Sequence, residues 1–188
     1  MSELKNFGDV VCDYLHKSKI KDRNIQYCMQ QTELHKVIEI AACAVDENNK
    51  IHEHQRRVGK IKLQEFANLL KQKEQEIKKV KKFDELLNII KSIKCYRIGE
   101  LVRYDTAERI GFFLKIYPEK IYLHAGVKVG VKNLLGNLYR KNFLIIDDLP
   151  YELKKYKSEF NLQFYDFESI FCQYKDKFEQ LHFRKSNP

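Results

Sequence analysis

YRIGELVRYDTAERIGFFLKIYPEKIYLHAGVKVGVKNLLG, residues Tyr96–Gly136, decides how the rest of this 188-residue chain is read. The stretch holds five of the seven glycines, at 99, 111, 126, 130 and 136, and one of the three prolines, Pro118. Glycine permits left-handed backbone and proline removes a hydrogen-bond donor, so together they mark where elements begin and end. Between these marks, Leu101, Tyr104, Ala107, Ile110, Gly111 and Leu114 recur at helical intervals and predict a helix from Glu100 to about Ile116. Ala107 and Gly111, four apart, predict close packing by another helix. Pro118-Glu119-Lys120 predicts a turn of helix, since proline suits a first helical position. A further helix is expected through Val127, Lys128, Val131, Lys132, Leu134 and Leu138.

Upstream, the same periodicity predicts helices over residues 3–17 with Ser2 as N-cap, over 25–45, over 58–82 and over 83–94. The segment 58–82 is amphipathic: Leu63, Phe66, Leu69, Leu70, Ile77 and Val80 form one stripe, and eight lysines from Lys60 to Lys82 lie opposite. Downstream, Phe143-Leu144-Ile145-Ile146 is the best strand candidate. Pro150 opens a short helix, and Phe164, Phe167, Ile170, Phe171, Tyr174, Phe178 and Leu181 form an aromatic helical stripe. Residues 184–188 are expected to fray. The fold class read from this pattern is all-α: one helical domain over 1–188, a compact bundle with at most one short strand near 143–146. Within it, residues 1–49 supply N-terminal helices, 50–141 a basic central part, and 142–188 a capping segment.

Composition narrows the function. At 44 % hydrophobic and 32 % charged, the chain can bury a core and is neither disordered nor membrane-embedded. No apolar run reaches the roughly 18 residues of a membrane span, and no signal-peptide block opens the sequence, so a cytoplasmic location is expected. The five cysteines form no CxxC pair and read as reduced, buried small hydrophobes. The formal net charge is +9. Residues 50–98 carry 14 basic and 6 acidic side chains, and residues 99–141 carry 8 and 4, so the central stretch is +12 while both ends are slightly acidic. Such concentration points to a polyanion-facing surface.

Arg56 and Arg57 have the planar, bidentate donors that phosphates accept. Lys60, Lys71 and Lys78 lie on the lysine face of 58–82. The tight turn Arg97-Ile98-Gly99, with Gly99 supplying permissive backbone, opens the Glu100 helix, which carries Arg103. Gly126, followed by Lys128 and Lys132, forms a second glycine turn before a helix, where exposed amides suit an anion. The expected nucleic-acid-binding residues are thus Arg56, Arg57, Lys60, Lys71, Lys78, Gly99, Arg103, Gly126, Lys128 and Lys132. No cofactor and no metal is implied. His52 and His54 lack further ligands, His124 lacks a paired nucleophile, and Asp147-Asp148 lacks the partner of a metal pair. Asp105 reads as the i, i+4 partner of Arg109.

Helix, short glycine turn, helix over Phe83–Lys94, Cys95–Gly99 and Glu100–Ile116 resembles the helix-hairpin-helix motif of DNA-binding proteins. That resemblance implies phosphate contact through the turn and the amides of the second helix. The sequence departs from the motif in carrying Arg97 where its first glycine stands, a late Ala107, and Glu100 at the mouth of the turn. The phrases HQRR (54–57), IGEL (98–101), YDTAERIG (104–111) and YLHAG (122–126) are also similar to a group of small uncharacterised bacterial proteins. The function expected is non-enzymatic binding of nucleic acid, most readily DNA, through the phosphate backbone. The alternative is an adaptor that docks on a protein partner through the aromatic C-terminal helix. A hydrolase ranks third, because no residues stand at a recognised catalytic spacing.

Overall fold

The computed structural model describes residues 4–17 and 22–181. Helix dominates as the periodicity predicts, with ten α-helices and one two-stranded sheet among the described residues. The chain forms two compact units: Ile20–Pro118, here the central unit, and Met1–Lys19 together with Glu119–Pro188, here the terminal unit.

The central unit contains α2 (Arg23–Met29), α3 (Leu34–Cys43), α4 (Lys60–Lys71), α5 (Glu74–Ile77), α6 (Phe83–Ser92) and α7 (Glu100–Leu114). Its middle is α7, which packs on α2, α3 and α6. Buried residues run most of the way around α7, and they include polar Asp105, Thr106 and Arg109 beside apolar Tyr104, Ala107, Ile110 and Phe112. A one-sided stripe is therefore too simple for this helix. Its C-terminus closes where Lys115 turns left-handed (φ 58°) and the Ile116 amide donates to Gly111 O at 2.8 Å. A Cβ on Gly111 would stand 2.5 Å from Ile116 O and 3.3 Å from the Phe83 ring of α6. The expected close packing at Gly111 is thus shared between a neighbouring helix and the chain's own return.

Two stretches read as single helices are broken. Residues 25–45 split into α2 and α3, because Glu33 is extended (φ −117°, ψ 125°) and redirects the chain so that both helices bury a face. Residues 58–82 split where the Lys73 amide bonds Leu70 O at 2.9 Å, a tight turn between α4 and α5. No glycine or proline marks either break; Leu70 before the second and Ile77 and Val80 after it are all buried.

The terminal unit contains α1 (Phe7–Lys17), β1 (Ile121–Tyr122), α8 (Ala125–Leu135), β2 (Phe143–Leu144), α9 (Tyr151–Glu159) and α10 (Phe164–Gln173). Asn6 and Asp9 cap α1 reciprocally: Asn6 Oδ1 accepts from the Asp9 amide at 3.0 Å, and Asp9 Oδ2 accepts from the Asn6 amide at 3.2 Å. Ser2, expected as the N-cap, and the tail 184–188 lie outside the described residues. The strand expected near 143–146 exists as β2, antiparallel to β1 with Ile121 opposite Leu144. Its partner corrects the reading after Pro118: Glu119 and Lys120 bend into a strand rather than a helical turn. Burial of Ile121 and Leu123, two residues apart, favours the extended form.

Most of the aromatic stripe of α10 and the turn after it is inside this unit. Phe167, Ile170, Phe171 and Phe178 are buried, and Phe178 stacks on Phe7 with ring centroids 6.0 Å apart. Tyr14 of α1 donates to the fully buried Asp166 carboxylate at 2.9 Å, and that carboxylate also accepts from the Gln163 amide at 2.7 Å. Burial, then the Asp166 charge, pushes the Tyr14 phenol far above its ordinary range. All five cysteines are free; Cys28 alone is buried, which pushes its thiol up to about 12, and Cys12 is exposed.

Candidate functional site

In the central unit, residues 51–58 form a short turn-rich segment with a polar inner side and a cationic outer side. It is anchored at its start. Asp46, 5 % exposed, accepts from the Asn48 and Lys50 amides at 2.9 Å each, and the His52 amide donates to Ala44 O at 2.8 Å.

The inner side is a buried network. Gln55, with no exposed surface, donates its amide Nε2 to Asp105 of α7, and its Oε1 accepts from Arg109 Nη2 at 3.5 Å. Arg109, 2 % exposed, also donates to Ala41 O at 3.4 Å, near the C-terminus of α3, where the helix dipole favours a cation. Its Nε is buried without a hydrogen-bond partner. The rings of His52 and His54 meet edge to face with centroids 4.8 Å apart. His54 Nδ1 lies 3.8 Å from Asp105 Oδ2, an ion-pair contact rather than a formed hydrogen bond. His52 Nε2 lies 4.0 Å from Asp22, whose other oxygen caps α2 through the Asn24 and Ile25 amides.

These surroundings push the two imidazoles apart. Burial, then the Arg109 charge, holds His52 below its ordinary value of 6.5, while the Asp105 carboxylate holds His54 above it. The signs are opposite. The His54–Asp105 pairing is complete below pH 6.5 and fades as pH rises through the folded value; His52 costs stability as pH falls below 6.5. We expect the ring-proton NMR titration of His54 to have its midpoint above that of His52. The reverse order would show that Asp105 does not control His54.

The outer side carries Arg56 and Arg57, both exposed. The Arg57 carbonyl accepts from Arg97 Nη2 at 3.1 Å, which ties this segment to the turn between α6 and α7. Arg97, not Gly99, is the left-handed residue of that turn: φ is 67° at Arg97 and −80° at Gly99. A glycine would take this conformation freely, whereas a residue with a Cβ gives up about 1 kcal/mol. Gly99 is the N-cap of α7 and is open, with nothing within 4 Å of where a Cβ would stand. Lys62, in the first turn of α4, lies within electrostatic range of Arg97 and Cys95, though Glu65 at 2.6 Å shares its charge.

The residues expected from sequence therefore part company. Arg56, Arg57 and Gly99 belong to this one locality, with Lys60 following directly in the chain. Arg103 is turned inward: its guanidinium donates to Ile93 O at 2.6 Å, Ile90 O at 2.9 Å and Ile98 O at 3.2 Å, closing the C-terminus of α6. Lys71 is half-buried and pairs with Glu39 at 3.4 Å. Lys78 is exposed just beyond α5. In the terminal unit, Gly126 faces Cys172 of α10, whose Sγ would lie 2.6 Å from an added Cβ; the missing side chain is explained by helix packing. Lys128 and Lys132 are exposed on α8, and Lys132 lies 5.9 Å from the Tyr139 ring centroid.

The remaining chemical candidates are held structurally. His124 Nε2 lies 3.6 Å from the buried Glu168, which accepts from the Tyr122 amide at 2.7 Å and so pins β1 to α10. Asp148 pairs with Lys141 and accepts from the Ile145 amide at 3.0 Å. Among the described residues, no group of three or more His, Cys, Asp or Glu side chains stands ready for a metal ion, and no helix is long and apolar enough to cross a membrane. Gln55, Arg97 and Arg109 were not among the expected site residues. The signal for Arg109 was present as its i, i+4 spacing from Asp105 within α7. No protein-family model, no curated protein and no solved structure matches this chain.

Proposed function

We propose that the central unit binds nucleic acid through the phosphate backbone, at the α6–α7 turn and the adjoining 51–58 segment. One observation carries this reading: the Arg97–Arg57 hydrogen bond gathers Arg56, Arg57 and Arg97 beside the open Gly99 turn. Exposed guanidinium groups donate pairs of hydrogen bonds to phosphate oxygens, and the first amides of a long helix add partial positive charge. Lys62 of α4 adds a cation within electrostatic range of Arg97, shared with Glu65 at 2.6 Å. Arg103 supports the turn from within and does not contact the ligand. Contacts of this kind fix position on the backbone and read no bases.

Fluorescence anisotropy with a labelled oligonucleotide tests the reading. Binding weakens steeply between about 50 and 200 mM salt, with a log–log slope that shrinks by roughly 1 for each lost phosphate contact. Arg57→Gln and Arg97→Gly each flatten that slope. Arg97→Gly removes the cation together with its hydrogen bond to the Arg57 carbonyl and adds no backbone strain, because glycine takes φ 67° freely. Glu100, exposed in the first turn of α7, opposes an anion, so Glu100→Gln tightens binding. Affinity that ignores salt, or is untouched by all three substitutions, rules the surface out.

A further inference from the structure

We infer that this surface takes single-stranded rather than duplex nucleic acid, with Tyr96 as a stacking platform for one base; the inference rests on the phosphate-binding reading above. Tyr96 is 78 % exposed although an aromatic ring gains from burial. It sits in the α6–α7 turn, immediately before the left-handed Arg97 whose guanidinium reaches the Arg57 carbonyl. Lys62 of α4 is within electrostatic range of Cys95 and Arg97. The turn thus sets an uncovered aromatic ring beside Arg97, with Arg57 tied to it.

That arrangement has a chemical match. In a duplex both faces of every internal base are already stacked, so an aromatic ring in the protein has nothing to cover. In a single strand each base presents a free π-face, flanked on both sides by phosphates. Aromatic platforms between basic side chains bind such strands with little sequence preference. Tyr96 beside Arg97, with Arg57 tied to the latter, has that composition. A protein partner suited to the same cations would be acidic, and it would gain nothing particular from a planar ring at this position.

The test measures binding of an oligothymidine strand, and of a duplex of equal length, at about 50 mM salt. A second strand carries 2-aminopurine, whose fluorescence is quenched by stacking. We expect the single strand to bind more tightly than the duplex and the 2-aminopurine signal to be quenched. Tyr96→Ala loses roughly five- to a hundredfold on the strand and abolishes the quench, while duplex binding stays within about twofold. Tyr96→Phe keeps both signals, because the ring and not the hydroxyl is used. The side chain is exposed, so neither variant disturbs the core, and circular dichroism verifies this. Equal affinity for strand and duplex with Tyr96→Ala indifferent overturns the inference and leaves the phosphate reading standing. Binding of neither polymer overturns both.

Discussion

Gly130→Ala is expected to unfold the terminal unit or lower its stability by roughly 3 kcal/mol or more, the upper end of overpacking costs. In an exposed helix the same change would stabilise by about 1 kcal/mol, because alanine loses less backbone entropy. Here the added Cβ would stand 2.0 Å from Phe171 O and 2.7 Å from Phe171 C. Both atoms are backbone of α10, so no rotamer change relieves the overlap and the helices must separate. That separation uncovers Val127, Val131, Ile170 and Phe171, which are buried on either side. Gly126, one turn earlier, is the control. Its added Cβ meets Cys172 Sγ at 2.6 Å, the end of a side chain that can move. Gly126→Ala therefore costs less, and Cys172→Ala in the same chain recovers most of the loss. Hydrogen exchange by mass spectrometry assigns the effect: protection in α8 and α10 collapses in Gly130→Ala. A Gly130→Ala protein as stable as the parent would show that α8 and α10 are not packed backbone to backbone.

Arg109→Met is expected to cost the central unit about 3–5 kcal/mol, the range for removing one member of a buried charged network. Net stabilities of small domains are about 5–15 kcal/mol, so this is a large share. The cause is what remains behind. Without Arg109, Gln55 Oε1 loses its guanidinium donor beside the buried Asp105 carboxylate, and Ala41 O keeps only the Ala44 amide at 3.3 Å. Methionine fills the volume but donates nothing. Replacing Asp105 and Gln55 by leucine in the same protein should recover much of the loss, because no polar group is then orphaned. Urea unfolding measures the cost. Amide exchange at Gln55 and Val58 should accelerate in Arg109→Met, since the inner side of the 51–58 segment is anchored through Gln55. If that exchange is unchanged, the network does not hold the segment that presents Arg56 and Arg57.

Much of the fold is legible because local periodicity and local chemistry coincide. Phe83, Leu86, Leu87 and Ile90 are spaced for one face of α6, and all four are buried. Asp84 and Glu85 stand in its first turn, where the dipole favours them, and Glu85 accepts from the Lys81 and Lys82 amides at 2.8 and 3.2 Å. Phe143 and Leu144 are strand-like by composition and form β2. The candidate site was legible only in part. Arg56, Arg57 and Gly99 were visible as residue types that suit phosphate, but Lys71 and Arg103 carry the same charge and are spent on Glu39 and on the carbonyls of α6 and the turn after it. Residue type states what a side chain can bind; its neighbours decide what it has already bound.

The amino-acid sequence by itself determined the all-α class, the apolar faces of α1, α4, α6 and α10, and the excess of cations in residues 50–98. Each of these follows from repeats within a few residues. Tertiary structure alone decided that α1 shares a core with α8 and α10, that Ile121–Tyr122 pairs with Phe143–Leu144, that Arg109 lies inside, and that Arg97 takes the left-handed position and reaches Arg57. The reason is physical: spacing along a helix selects which side is covered, but the covering partner comes from residues distant in the chain. The free energy of that choice lies in close packing and shared hydrogen bonds, which no short window of sequence contains.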